Sequence, residues 1–107
     1  MEERVCEENF QIMDNCLIVK VPKELDHHQA SFVRQYADKY LMDERVEHIV
    51  FDFSQTEFMD SSGIGMIVGR YKQVSCFGGK VLIANAGDRI RKILRLSGLK
   101  DMIEWID

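Results

Sequence analysis

The chain is 107 residues long and 46% hydrophobic, enough for one compact domain with a single core and too short for two. Fourteen Lys and Arg stand against 18 Asp and Glu, a formal charge of −4 that repels a polyphosphate backbone and argues against nucleic acid as a partner. No run approaches the roughly 18 to 20 apolar residues that cross a bilayer, and Met1-Glu2-Glu3-Arg4-Val5 has no secretory apolar core, so a cytoplasmic protein without a membrane partner is expected.

The polar leader Met1 to Asn9 is the segment expected to fray. Phe10 to Asp14 and Cys16 to Val21 are short apolar runs separated by Asp14-Asn15, residues that tolerate turn geometry, and they predict an antiparallel hairpin. Pro22 closes the second run. Asp26 then precedes a helical pattern in which Phe32, Val33, Tyr36, Ala37, Tyr40 and Leu41 recur at steps of three and four. His48-Ile49-Val50-Phe51-Asp52-Phe53 has the continuous apolar centre of a strand covered on both faces.

Downstream, Ile64, Ile67, Val68, Tyr71 and Val74 fall on one side of a second helix that ends before Gly78-Gly79. Val81 to Ala84 is a further strand, Asp88 to Ser97 a third helix closed by Gly98, and Ile103 to Ile106 a last strand. In the third helix Ile90, Ile93 and Leu94 face inward, while Arg91 and Arg95 form a basic face expected to be solvated. Strand, helix, strand in succession implies right-handed parallel crossovers. The predicted fold is α/β, one domain over 1–107: a mixed sheet with an N-terminal antiparallel hairpin, parallel βαβ units and helices packed on the sheet.

Cys6, Cys16 and Cys76 are too far apart for a CxxC site and too few for a disulfide framework. The adjacent His27 and His28 point in different directions on a helix and have no Cys or Glu at ligand spacing, so no metal is expected. The chain has no GxSxG elbow for a serine hydrolase and no GxxxxGK[ST] for a nucleotide phosphate. Neither catalysis nor a cofactor is expected.

The segment Met59-Asp60-Ser61-Ser62-Gly63 stands where a strand hands over to a helix, so backbone amides and the positive end of the helix dipole converge there. Asp60, Ser61 and Ser62 are each good N-caps, which is one reading of the loop. In the other, Gly63 and Gly65 leave the loop open to a partner and one serine hydroxyl is exposed to a kinase. A phosphate there would add about −1.5 to −2 charges, changing an interface more than the fold.

Glu24-Leu25-Asp26-His27-His28, Phe58-Met59-Asp60-Ser61-Ser62-Gly63-Ile64-Gly65, Gly69-Arg70-Tyr71-Lys72 and Gly78-Gly79-Lys80-Val81 resemble STAS-domain anti-sigma factor antagonists, above all the sporulation type that releases the forespore sigma factor. The resemblance runs over nearly the whole chain. It implies that Ser61 is phosphorylated by the partner, a nucleotide-bound anti-sigma factor serine kinase, and that Ser62 is structural. It implies further that the unphosphorylated protein binds the kinase and frees the sigma factor, and that a PP2C-type phosphatase restores that state.

The same resemblance puts Asp26 beside the phosphorylatable serine at the end of the second strand, although Asp26 is equally a candidate N-cap of the first helix. Asp60, Ser62, Gly63, Ile64 and Gly65 join it as partner-binding candidates. Arg70 is either a further partner contact, pairing with carboxylates, or a solvated surface residue. One departure from the family pattern is Val21-Pro22-Lys23-Glu24, where a Gly usually precedes Glu-Leu-Asp. The competing expectation is a STAS scaffold subunit of a stress-signalling or lipid-transport complex in which Ser61 is not modified.

Overall fold

A computed structural model of the chain describes residues 5–43 and 45–106. After a 3-10 turn over Glu7–Asn9 come β1 (Phe10–Met13), β2 (Cys16–Lys20), β3 (Glu24–Leu25), α1 (His27–Tyr40), β4 (His48–Asp52) and β5 (Phe58–Met59). The order continues with α2 (Ser61–Ser75), β6 (Val81–Ala84), α3 (Asp88–Leu96) and β7 (Ile103–Ile106). Five strands form one sheet in the order β1-β2-β4-β6-β7, with β1 and β2 antiparallel and every other neighbour parallel. This is the mixed α/β sheet that the pattern predicts. Asp14 takes φ 55 in the hairpin turn, a conformation that Asp adopts more readily than most residues.

Residues 5–9 of the leader pack against the domain. Val5 is 2% exposed, and its amide donates to Gln29 Oε1 at 3.0 Å. Asn9 Nδ2 donates to Lys20 O at 2.8 Å. These contacts tie residues 5–9 to α1 and β2; residues 1–4 of the expected frayed segment lie outside the described residues.

The core occupies one face of the sheet. Leu17, Val19, Ile49, Phe51, Val81, Ile83 and Ile103 point into it and meet Ala30, Val33, Ala37, Ile67, Val74, Ile90 and Leu94 from the helices. β4 is therefore not covered on both faces, contrary to its apolar run. Its alternate residue Val50 lies outside that cluster, in register with Ile18 on β2 and Leu82 on β6, and is shielded by these two half-buried neighbours.

α2 packs on α1 as well as on the sheet, so its buried arc is wider than its apolar stripe. Gly63, Met66, Ile67, Arg70 and Val74 are buried, while Ile64, Val68 and Tyr71 are half-buried at the rim. The basic face of α3 is not simply solvated: the Arg91 and Arg95 guanidiniums lie 4.8 and 6.0 Å from the Trp105 ring centroid, and Arg91 Nε donates to Ala86 O.

A second, two-stranded ladder has no counterpart in the predicted elements. β3 and β5 pair in parallel, Glu24 with Phe58 and Leu25 with Met59. Pro22 makes this possible: it lacks the amide that would continue the β2 ladder, and Thr56 Oγ1 instead donates to Pro22 O at 2.9 Å. Gln55 Nε2 donates to Val21 O, and the Glu57 amide to Lys23 O at 2.8 Å. The departure at Val21-Pro22-Lys23 is thus the hinge by which the chain leaves the main sheet for the short ladder.

Candidate functional site

The short ladder sets the site. Because Leu25 and Met59 are register partners, the residues that follow them, Asp26 and Asp60, leave their strands at one level, and the Asp60 amide donates to Leu25 O at 3.3 Å. Each aspartate then caps a helix. Asp26 accepts from Gln29 N at 3.0 Å, and Asp60 from Ser62 N at 2.8 Å. Asp26 therefore follows the third strand, not the second, and acts as an N-cap, while its level with Asp60 still brings it alongside the loop.

Capping by Asp60 resolves the two serines. Ser61, the first residue of α2, is exposed, and its hydroxyl makes no hydrogen bond among the described residues. Ser62 is half-buried; its Oγ lies 3.2 Å from His27 Nδ1, joining the first turns of α1 and α2. His27, absent from the sequence-derived candidates, was signalled by its place directly after Asp26 once the β3–β5 register is known.

The two glycines differ. Gly63 does not open the loop: it is buried, and a Cβ there would stand 2.6 Å from Met59 Cγ and 2.9 Å from Leu25 Cδ2. Its role is close approach of α2 to the short ladder. Gly65 is exposed with open space where a Cβ would be, so openness is a property of this position alone. Ile64 is half-buried against the core rim.

Arg70 departs furthest from expectation. It is 6% exposed, not a surface residue, and reaches Asp38 only at 3.8 Å. Burial, reinforced by the charge of Arg34 and opposed by Asp38, holds its pKa below the ordinary guanidinium value. It lies at the floor of an open cleft between α1 and α2 that also includes His27, Arg34, Ser62 and Gly65. Of the sequence-derived candidates, Asp26, Asp60, Ser61, Ser62 and Gly65 converge at the helix starts; Gly63 and Arg70 lie beneath the surface.

Among the described residues, no group of three or more His, Cys, Asp or Glu side chains converges as a metal site, and no helix is long and apolar enough to cross a membrane. Cys6, Cys16 and Cys76 are all free thiols.

Residues 9–107 match the STAS domain family. The chain is 40% identical over 83 residues to the anti-sigma F factor antagonist of Paenibacillus polymyxa, an alignment covering 78% of this chain and 71% of the relative. Among solved structures, it superposes on the anti-sigma factor antagonist SpoIIAA in its unphosphorylated form with a TM-score of 0.79 at 27% identity, covering 92% of this chain and 88% of that one. The phosphorylated form of the Bacillus cell fate determinant SpoIIAA gives a TM-score of 0.71 at 27% identity, covering 92% and 91%. With a two-residue ladder that levels Asp26 with Asp60 and presents Ser61 at the start of α2, the chain belongs to the STAS domain family and, within it, to the anti-sigma factor antagonists.

Proposed function

We propose that this antagonist works by partner switching. Its unphosphorylated form binds a nucleotide-bound anti-sigma factor serine kinase through the surface around Ser61 and releases the sigma factor for transcription. Phosphorylation of Ser61 by that kinase ends the interaction, and a PP2C-type phosphatase restores it. The domain is then a substrate and a binding module, not a catalyst.

The observation that carries this reading is the contrast between the two serines. Ser61 is exposed with an unengaged hydroxyl, whereas Ser62 is half-buried and engaged with His27. A phosphate on Ser61 would sit on the positive end of the α2 dipole, where its charge costs the fold little. That the fold is shared with SpoIIAA in both its phosphorylated and unphosphorylated forms supports a module that survives the modification. At the interface the added charge alters electrostatic complementarity, which is where the switch acts.

The experiment incubates the protein with an anti-sigma factor kinase and ATP and maps the phosphate by mass spectrometry. A single phosphate on Ser61, abolished by Ser61→Ala and retained in Ser62→Ala, is expected. An unmodified chain, or a phosphate on Ser62, would overturn the switch and leave the scaffold role.

A further inference from the structure

His27 and Ser62 tie the first turns of α1 and α2 together, Nδ1 to Oγ at 3.2 Å, and Ser61 is the residue before Ser62. Consecutive Cα atoms stand about 3.8 Å apart. A phosphate on Ser61 and the His27 imidazole are then separated by one residue, a distance comparable to the roughly 8 Å over which physiological salt screens exposed charges. The His27 side chain is exposed, and its second ring nitrogen, Nε2, makes no hydrogen bond among the described residues.

The cations around the imidazole do not take its place. Arg34 follows His27 by seven residues and Arg70 follows Ser62 by eight, which at a rise of about 1.5 Å per residue sets them roughly 10 to 12 Å along their helices. Arg70 is also turned to Asp38, and Lys23 is paired with Glu57 at 3.3 Å. The two caps, Asp26 and Asp60, and Glu24 on β3 favour a charged imidazole. The positive ends of α1 and α2 oppose it, as does any charge on His28, whose ring centroid is 6.2 Å away. A phosphate adds about −1.5 to −2 charges to the favouring side, more than any one of these carboxylates carries.

Resting on the reading of Ser61 as the modified residue, we propose that His27 is the counter-charge of phosphorylated Ser61, taking up a proton from solvent when the phosphate is present and offsetting one of its charges. An imidazole ordinarily gains its proton near about pH 6.5, and a phosphoserine its last one near about pH 6. Opposite charges that titrate over the same range at this separation are coupled: the phosphate holds the proton on His27, and the imidazolium drives the proton off the phosphate. In the charged ring both nitrogens donate, Nδ1 to Ser62 Oγ and Nε2 outward, so the link between the helices is kept while the charge changes. The switch thereby becomes pH-dependent. With His27 charged, the modified surface carries one negative charge less, so phosphorylation alters the interface least at acid pH and most at alkaline pH.

The test is proton NMR of the three histidines of the full chain, His27, His28 and His48, followed from about pH 5 to 9. It compares the unmodified chain with one in which Ser61 carries a phosphate introduced during translation. Because no kinase is used, failure of a kinase to modify Ser61 counts against the partner switch and not against the role of His27. On phosphorylation the His27 titration midpoint should rise by at least about 0.5 pH. His28, which has no hydrogen bond to α2 among the described residues, should rise by less, and His48, at the far end of β4 from the short ladder, should not move. Phosphorus NMR of the same samples reads the other half of the pair. His27→Gln, an exposed substitution that can still bond Ser62, removes the charge and keeps the helix link. The last ionisation of the phosphate should come at lower pH in the parent than in this variant, by about the margin of the His27 rise, because coupling is reciprocal. A His27 midpoint unmoved by the phosphate, a rise at His28 as large as that at His27, or a phosphate that ionises at the same pH in the parent and His27→Gln would overturn the proposal.

Discussion

Asp26 and Asp60 leave two paired strands at the same level and cap the two helices that flank Ser61, each through one carboxylate oxygen and one amide two or three residues on. The position of Ser61 is thus fixed by short-range bonds and a two-rung ladder, not by the large sheet. That makes the loop rigid at its root while its first helical residue stays exposed.

This arrangement separates capping from partner contact. Asp60→Ala should cost about 1 kcal/mol of stability, as loss of a good N-cap does, whereas Asp60→Asn, which still accepts from the Ser62 amide, should stay within a few tenths. Urea unfolding at neutral pH measures both. If the Ala and Asn variants unfold at the same midpoint, the cap does not hold the start of α2.

At Ser61 the expected pattern is inverted, with small effects on stability and large ones on binding. Ser61→Ala should keep its affinity for the anti-sigma factor, while Ser61→Asp should weaken it by at least about tenfold, because only the latter adds charge to the contact surface. Ser61→Asp should remain as stable as the parent or slightly more so, since an acidic residue in the first turn of α2 favours the helix dipole. Calorimetric titration and thermal unfolding of the same samples read the two effects apart. Equal affinities for the Ala and Asp variants would remove the electrostatic basis of the switch.

The sequence was legible where a pattern is long or a residue type has one structural use. The hairpin, α1 beginning after Asp26, the end of α3 before Gly98 with φ 76, and the succession of strands and helices along the chain all follow from periodicity and turn residues. The β3–β5 ladder was not legible, because two-residue strands show no alternation, and only their pairing reveals that Asp26 and Asp60 stand level. Nor could sequence choose the cap among Asp60, Ser61 and Ser62, three residue types with nearly equal capping preference. Arg70 reads as a surface residue because arginine seldom lies buried; its burial is a property of α1 packing over α2, a contact between elements that local pattern does not encode. The stacking of Arg91 and Arg95 on Trp105 is hidden for the same reason, since it needs α3 and β7 brought together.

Gly63 and Gly65 give a matched test of packing at the loop. Both are in α2, yet a Cβ at Gly63 would press on Met59 and Leu25, while one at Gly65 meets nothing within 4 Å. Gly63→Ala should therefore destabilise by about 1–3 kcal/mol through overpacking, and Gly65→Ala should stabilise by about 0.5–1 kcal/mol through its better helix propensity. Urea midpoints of the two variants should move in opposite directions. A shift of both the same way would mean that α2 does not approach the short ladder as closely as the structure has it.

The last prediction concerns acid stability and rests on Asp52, at the end of β4. Burial pushes its carboxyl up, but the Ser54 amide at 2.9 Å and Asn85 Nδ2 at 3.2 Å, with Lys20 nearby, together outweigh this and hold it below the ordinary carboxylate range. A group whose folded-state pKa is depressed adds stability that is present above its unfolded pKa, near 4, and is lost as pH falls through the folded value. Asn85 is held for this contact in the left-handed region, φ 57, which Asn tolerates. Asp52→Asn should accordingly cost about 1 kcal/mol at pH 7, the scale of one net hydrogen bond, and the gap to the parent should narrow as pH drops below 4. Urea unfolding of both proteins at pH 7 and pH 3 gives the two gaps directly. A gap that stays constant across that range would mean that the Asp52 charge contributes nothing and that only its hydrogen-bonding shape matters.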